Sequence, residues 1–159
     1  MKTFLVSSNA MHLASPVWRK MLDPEGRFME ANAKEVSLPD DDPGALLVIL
    51  HIAHLNFDVV TGPRSFSEIL NLAIICDKYD AVKVVSPWRW CWLFTTHEQY
   101  CAPGREEWLF IAWTFGKKIV FRELFKHLVL TMTIDESGRE MNGEGTLLGN
   151  KMPPGVVGS

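Results

Sequence analysis

The sequence DDPGALLVILHIAHL, residues 41–55, is the best candidate for the centre of the core. Asp42 can cap a helix that begins at Pro43, because proline fits the first helical position and a carboxylate favours the positive end of the helix dipole. Apolar residues between 46 and 53 cover nearly the whole helical circumference. A helix that is apolar all round is normally enclosed by other elements. We therefore predict a central, buried helix over residues 43–55.

Further helices are predicted on both sides of this segment from capping residues and apolar spacing. Ser15 followed by Pro16 marks one helix start, and Ser65 with Glu68 has the spacing of a capping box. Each of these signals satisfies backbone N–H groups that the first helical turn leaves without partners. The predicted helices, besides the central one, span residues 9–14, 16–22, 66–79, 106–115 and 118–130, and another begins near residue 86.

Two short segments alternate between apolar and polar residues, as half-buried strands do. They cover residues 3–7 and 34–38. Residues 132–159 are punctuated by glycine and proline and are poor in apolar residues, so this tail is predicted to be mostly flexible. The predicted fold class is α+β and predominantly helical, with a helical cluster flanked by a short, small sheet and extra helices towards the C-terminus.

Composition and charge limit the class of function. Apolar residues make up 47% of the sequence and charged residues 22%, which is typical of a globular domain. The net charge is only -3 and the closest approach to a basic patch is the pair Lys117 and Lys118, so we expect no nucleic-acid binding. No apolar run reaches about 18 residues and no secretory signal is recognisable, so no membrane association is expected. The odd number of cysteines, Cys76, Cys91 and Cys101, fits reduced thiols in the cytoplasm or nucleus.

Three segments resemble the BTB/POZ family. FLVSS at residues 4–8 leads into HLASPVWRKML at 12–22, which is similar to a strand and paired helices of the family, although the family more often has phenylalanine where Trp18 stands. VSLPDDDPGAL at 36–46 resembles the family's strand, acidic proline turn and core helix. LNLAIICDKYD at 70–80 resembles a helix pattern that is common in small fungal members.

The resemblance, which spans about residues 3–95, implies a domain organisation. A BTB/POZ-like domain is expected over residues 1–95, a helical extension over 104–131 and a flexible tail over 132–159. The family ordinarily has a further strand before the one that corresponds to residues 3–7, and only two residues precede it here. We therefore expect an N-terminally shortened domain with an unpaired sheet edge, which invites association with another chain.

The resemblance also implies a function. Members of the family are protein-protein interaction modules that oligomerise, and some are adaptors of cullin-based ubiquitin ligases. We therefore expect this chain to bind protein partners, itself or a cullin, without any cofactor, in the cytoplasm or nucleus. The alternative is a purely structural homo- or hetero-oligomerisation domain with no ubiquitin role. The sequence contains no nucleophile elbow, phosphate loop or paired catalytic carboxylates, so we do not expect an enzyme.

Phe28, Met29 and Glu30 are the candidate partner-binding residues. The resemblance singles them out, because cullin-binding members carry an apolar residue, any residue and glutamate in the loop between the second helix and the following strand. Phe28 would fill an apolar pocket and Glu30 would make a directional, charge-assisted hydrogen bond. In the alternative interpretation Phe28 covers the local core and Glu30 is a solvated charge.

Histidine spacing gives a weaker hypothesis of a zinc site. His51 and His54 lie one helical turn apart and could ligate zinc together with His12. No carboxylate or cysteine accompanies them at motif spacing. We therefore expect ordinary packed or exposed histidines and no metal site, either here or at His97 and Cys101.

Three tryptophans alternate along the helix that begins near residue 86. Trp88 and Trp92 share one face of that helix and Trp90 points away. Core packing is the favoured interpretation, because tryptophans at helical spacing most often serve as bulky core residues. A partner surface that presents one exposed ring is the alternative.

Overall fold

The computed structural model describes residues 2–93, 100–102, 104–148 and 151–156. The chain divides into two compact units, Met1–Leu93 and Phe94–Ser159. The first unit contains helices α1 (Ser8–Ala14), α2 (Pro16–Met21), α3 (Pro43–Ala53), α4 (Phe66–Lys78) and α5 (Arg89–Trp92), with 3-10 turns at Met29–Asn32 and Ser86–Trp88. The second unit contains α6 (Trp108–Thr114), α7 (Lys118–Thr131) and strands β1 (Thr133–Ile134) and β2 (Glu140–Met141). The described chain is thus predominantly helical with one small sheet, as predicted. The predicted domain boundary at residue 95 lies outside the described residues.

The predicted helix starts are confirmed by their capping hydrogen bonds. Ser15 Oγ accepts the Trp18 N–H at 3.0 Å at the start of α2. Asp42 Oδ1 accepts the Ala45 N–H at 2.8 Å at the start of α3. At α4 both hydrogen bonds of a capping box between Ser65 and Glu68 are present. These starts follow from local chemistry, since each cap satisfies a backbone donor within the first turn.

The core of the first unit lies where α3 packs against α4 and α1 packs against α3. Leu47, Val48 and His51 share one side of α3 and are only half-buried, so this helix contributes to the core but is not enclosed on all sides as predicted. On α3 and α4 the buried side chains are Ala45, Leu46, Ile49, Leu50, Ile52, Ile69, Leu72, Ala73, Ile75 and Cys76.

Helix α3 ends two residues earlier than predicted. Leu55 has a φ of 60°, a left-handed conformation that cannot continue an α-helix. Its N–H donates to Ile52 O at 3.0 Å, and the N–H of Asn56 donates to His51 O at 2.9 Å. These two bonds form a Schellman motif, which satisfies carbonyl groups of the last helical turn.

The strand predictions for residues 3–7 and 34–38 are wrong. Within the described ranges the one ladder joins β1 to β2, with Thr133 opposite Met141 and Ile134 opposite Glu140. A strand needs a second segment that accepts and donates along its edge, and neither predicted segment has one there. At the end of the first segment, the Ser7 N–H donates instead to His54 Nε2 at 2.8 Å.

The second unit is built on the helix pair α6 and α7, which pack together. Gly116, with a φ of 67°, follows the end of α6, because glycine adopts this left-handed conformation without strain. The sheet follows α7 as a hairpin within residues 132–159, a segment predicted to be mostly flexible. Asp135 organises the hairpin turn, since its Oδ1 accepts the N–H groups of Ser137 and Arg139, each at 2.9 Å.

Candidate functional site

The candidate partner-binding residues lie at the start of a 3-10 turn in the first unit. Phe28 occupies the N-cap position of the turn Met29–Asn32. The Ala31 N–H donates to Phe28 O and the Ala33 N–H donates to Glu30 O, both at 3.2 Å. Because such a turn has about three residues per revolution, consecutive side chains point in different directions and do not cover one another.

The two apolar side chains of this turn face solvent. Phe28 is 56% exposed and Met29 is 92% exposed, whereas Glu30 is half-buried. An aromatic ring and a flexible thioether that are both left uncovered are suited to filling a partner's pocket. The partly enclosed carboxylate beside them can accept a charge-assisted hydrogen bond.

The turn is held in place by the segment between it and α2. Helix α2 packs against the turn, and the Gly26 N–H donates to Asp23 O at 2.7 Å. A Cβ atom at Gly26 would lie 2.8 Å from that same carbonyl oxygen, so no larger residue fits without a shift of backbone. The Asp23–Gly26 turn therefore sets the path of the chain into the loop 28–30, and the packing of α2 against the 3-10 turn holds it in place.

A buried polar cluster, which we call the Asp41 cluster, links three distant segments of the first unit. It consists of Ser15, Asp41, Lys78 and Tyr79. Ser15 Oγ donates to the backbone oxygen of Tyr79, and the Tyr79 hydroxyl donates to Asp41 Oδ2, each at 2.5 Å. Lys78 Nζ lies 2.6 Å from Asp41 Oδ1. Helix α2, the turn before α3 and the end of α4 are thereby joined.

The surroundings of the cluster keep the tyrosine protonated. Burial, and then the hydrogen bond to Asp41, raise the pKa of the Tyr79 hydroxyl above its ordinary value. The ring of Trp18 lies 4.9 Å from the Tyr79 ring, centroid to centroid, and Trp18 is fully buried. The arrangement therefore holds structure together, and its protonated hydroxyl acts as a donor.

Sequence reasoning missed the Asp41 cluster as a unit, although it had marked each segment separately. Each of the three segments that carry the family resemblance contributes to it: Ser15 from 12–22, Asp41 from 36–46, and Tyr79 from 70–80. The signal available in the sequence was that each resembling segment contains a residue whose side chain can form such a hydrogen bond. What it lacked was any indication that these residues meet.

Cys76 gives a sharp test of the packing of α4. Its side chain is fully buried, and burial raises the pKa of its thiol to about 12. Because the thiolate is the reactive form, iodoacetamide at pH 8 should label Cys76 at least about a hundredfold more slowly than it labels a free thiol. Mass spectrometry of the digested protein measures this rate.

The control for this experiment is Cys91, which is only half-buried. It should react measurably in the folded protein, and both thiols should react at similar rates after unfolding in urea. Labelling of Cys76 at the same rate in the folded and unfolded chain would contradict the packing described here.

Two of the three histidines considered as zinc ligands, His51 and His54, have other contacts. His54 Nδ1 lies 2.8 Å from Leu50 O and its Nε2 accepts the Ser7 N–H, so both of its ring nitrogens are engaged. His51 Nδ1 lies 3.1 Å from Asn56 Nδ2. In the part of the chain that the structure describes, no group of three or more His, Cys, Asp or Glu side chains is placed to hold a metal ion. His97 lies outside the described residues.

The alternating tryptophans differ in exposure, as their spacing predicted. Trp92 is buried, its Nε1–H donates to Val60 O at 3.3 Å, and the Arg64 guanidinium lies 5.1 Å from its ring centroid. Trp88 packs against Phe57 with ring centroids 5.2 Å apart. Trp90 points away and is 73% exposed.

Two general findings complete the description. Among the described residues, no helix is both long enough and apolar enough to cross a lipid bilayer. Comparisons with protein-family models, with curated proteins and with solved structures find no match to this chain.

Proposed function

We propose that this chain is a protein-interaction module of the BTB/POZ type that docks on a cullin and acts in the cytoplasm or nucleus by binding rather than by catalysis. The observation that carries the proposal is the loop 28–30. It presents two exposed apolar side chains next to a half-buried carboxylate, on a turn against which α2 packs.

The Asp41 cluster supports the family assignment within this proposal. Residues from all three resembling segments meet there through buried hydrogen bonds, so these residues have a common structural reason to occur together in one sequence. Buried polar groups are costly unless they are paired. These polar residues therefore stabilise the fold only when the three segments pack so that the residues are paired with one another.

The apolar and the charged side chains of the loop would have different roles in docking. Phe28 and Met29 would leave water for an apolar pocket of the cullin, which is the main source of affinity. Glu30 would accept a hydrogen bond from a cationic or amide donor at the rim of that pocket, which fixes orientation. Because the loop is already held by its backbone, little conformational freedom is lost on binding.

Removing the anchor and the carboxylate together should strongly weaken cullin binding. A Phe28→Ala, Glu30→Ala double variant should lose about 2 kcal/mol or more of binding free energy, which is a weakening of roughly thirtyfold or more in Kd. Pull-down with purified cullin N-terminal domains, followed by titration calorimetry of any cullin that is captured, measures the effect.

A matched control is available on another loop of the same unit. Val59 is 55% exposed, close to the value for Phe28, and Asp58 beside it is exposed. The Val59→Ala, Asp58→Ala double variant should bind as the unchanged chain does. Equal capture by the loop 28–30 variant would show that these residues do not dock. Oligomers in light scattering without any cullin capture would favour the structural alternative, homo- or hetero-oligomerisation, which the exposed Leu5 and Leu13 also permit.

A further inference from the structure

Helix α7 has apolar residues on more sides than the side that packs within its own unit. Eight of its fourteen residues are apolar, yet only Leu124 and Leu128 are buried. Four of the others are exposed by 40% or more: Ile119, Phe125, Val129 and Leu130. A helix with apolar residues all round normally packs on more than one side. One side of α7 is therefore left uncovered by the described residues of its own unit.

A row of basic side chains runs along that open side. Lys118, Arg122 and Lys126 are spaced four residues apart, so they lie in line over about 12 Å of helix. At about 3.6 residues per turn this row is opposite the buried pair Leu124 and Leu128. All three are exposed. Glu123 Oε1 lies 3.5 Å from Arg122 Nε in a solvent-exposed contact, which is a weak interaction.

Apolar side chains flank the basic row on both sides. On the helical wheel Phe125 lies on one side of the row, next to Lys118, and Ile119 and Leu130 lie on the other, beyond Lys126. Val129 lies in line with the row, at its C-terminal end. Phe125 is 40% exposed, Ile119 is 72% exposed and Leu130 is 84% exposed. The open side, which we call the α7 face, is therefore a line of positive charge between two apolar margins: Lys118, Ile119, Arg122, Phe125, Lys126, Val129 and Leu130.

We propose that the α7 face binds an acidic amphipathic helix of a partner protein. Carboxylates spaced four residues apart on such a helix would meet the basic row, and the apolar residues beside them would cover the two margins. The charges would provide orientation and a fast, salt-sensitive association, while the margins would provide affinity. The inference rests on the proposed role as a protein-interaction module, but it uses a surface different from the loop 28–30.

The arrangement of the α7 face favours a protein helix over an anionic membrane. A helix that lies in a membrane surface separates its residues, with one continuous apolar side inserted among the lipids and the charged side turned to water. On α7 the charged row lies in the middle of the exposed side. Inserting both margins into lipid would bury Arg122 and Lys126 between them, which is costly for two charged groups.

A designed peptide provides the probe for this inference. It is a helical peptide of about the length of α7, with glutamates spaced four residues apart and leucines on both flanks. Fluorescence polarisation with the full chain should show saturable binding that weakens as salt is added. The Lys118→Glu, Lys126→Glu variant should bind about tenfold more weakly or worse, because like charges then face each other. Ile119→Ser with Leu130→Ser should also weaken binding.

The matched control reverses two exposed lysines of the first unit. A Lys2→Glu, Lys83→Glu variant carries the same net charge and should bind the peptide within about twofold of the unchanged chain. Circular dichroism of all variants checks that their helical content is retained. If the variant with reversed α7 charges binds the peptide as well as the control does, the inference is wrong.

Three further outcomes would overturn the inference. Equal binding of a peptide with lysines in place of the glutamates would show that charge plays no part. Binding to phosphatidylserine vesicles but not to the peptide would identify a membrane site. Self-association that the α7 variant abolishes would identify a second copy of the chain. The Phe28→Ala, Glu30→Ala variant should bind the peptide normally, so failure of the cullin proposal and failure of this one are distinguishable.

Discussion

Replacing Trp18 by alanine should lower the free energy of unfolding of the first unit by about 3 to 5 kcal/mol. Its side chain is fully buried and lies against the Tyr79 ring, with centroids 4.9 Å apart. Alanine would leave a cavity that the surrounding helices can fill only in part, and it would also remove the ring contact. This is the largest effect that we expect from a single substitution.

The measurement uses urea and the thiol of Cys76. Because that thiol is fully buried, its labelling as a function of urea concentration reports the unfolding of the first unit specifically. Trp90→Ala is the matched control, since Trp90 is 73% exposed and its loss should change the free energy of unfolding by about 0.5 kcal/mol or less. Equal effects of the two tryptophan substitutions would contradict the burial described here.

Replacing Asp41 by alanine should cost about 2 to 3 kcal/mol of stability, because it leaves the buried Tyr79 hydroxyl without an acceptor. The Asp41 side chain is 1% exposed, and Tyr79 is 2% exposed. Lys78 adds little to this figure, since its side chain is 44% exposed and solvent screens its charge. The same urea titration measures the loss.

A double-mutant cycle separates the hydrogen bond from other effects. Tyr79→Phe removes the hydroxyl but keeps the ring, so the coupling between Tyr79→Phe and Asp41→Ala should be about 1 kcal/mol or more. Asp40→Ala is the control, because Asp40 is the exposed neighbour in the same turn and should be nearly neutral. Additive effects of the two cluster substitutions would show that their side chains do not interact.

The helix starts could be predicted because the information is local. Ser15, Asp42 and Ser65 each accept a hydrogen bond from a backbone N–H three residues ahead, so a short window of sequence contains both partners. The place of α3 in the core could be predicted for a similar reason, since its largely apolar composition is visible without knowledge of its neighbours, whereas the side that stays half-buried depends on those neighbours.

The strands could not be predicted in the same way. Alternation at residues 3–7 and 34–38 is a local pattern, but a ladder depends on a second segment whose position the pattern does not specify. The hairpin that does form depends on Asp135, which accepts two backbone N–H groups, and on Gly138, which has a φ of 77°. Sequence analysis interpreted this glycine only as an interruption in a flexible tail.

The candidate site was identified from a resemblance to a protein family, but its geometry could not be predicted from the sequence. A sequence contains no measure of exposure, so it could not say whether Phe28 covers the core or faces solvent. The same limit applies to α7, whose apolar residues include Phe125. That residue is 40% exposed while Leu124 is buried, because which residues of an apolar helix are covered depends on the neighbour that it meets.

The Asp41 cluster has a consequence for synthesis of the chain on the ribosome. Its hydrogen bonds join residues 64 and 38 positions apart, so the first unit cannot close until Tyr79 has emerged from the exit tunnel. A nascent chain that stops short of this residue leaves Trp18 without its aromatic neighbour and Asp41 without its hydroxyl donor. Fragments of this kind expose apolar surface, which is the feature that chaperones and proteases recognise.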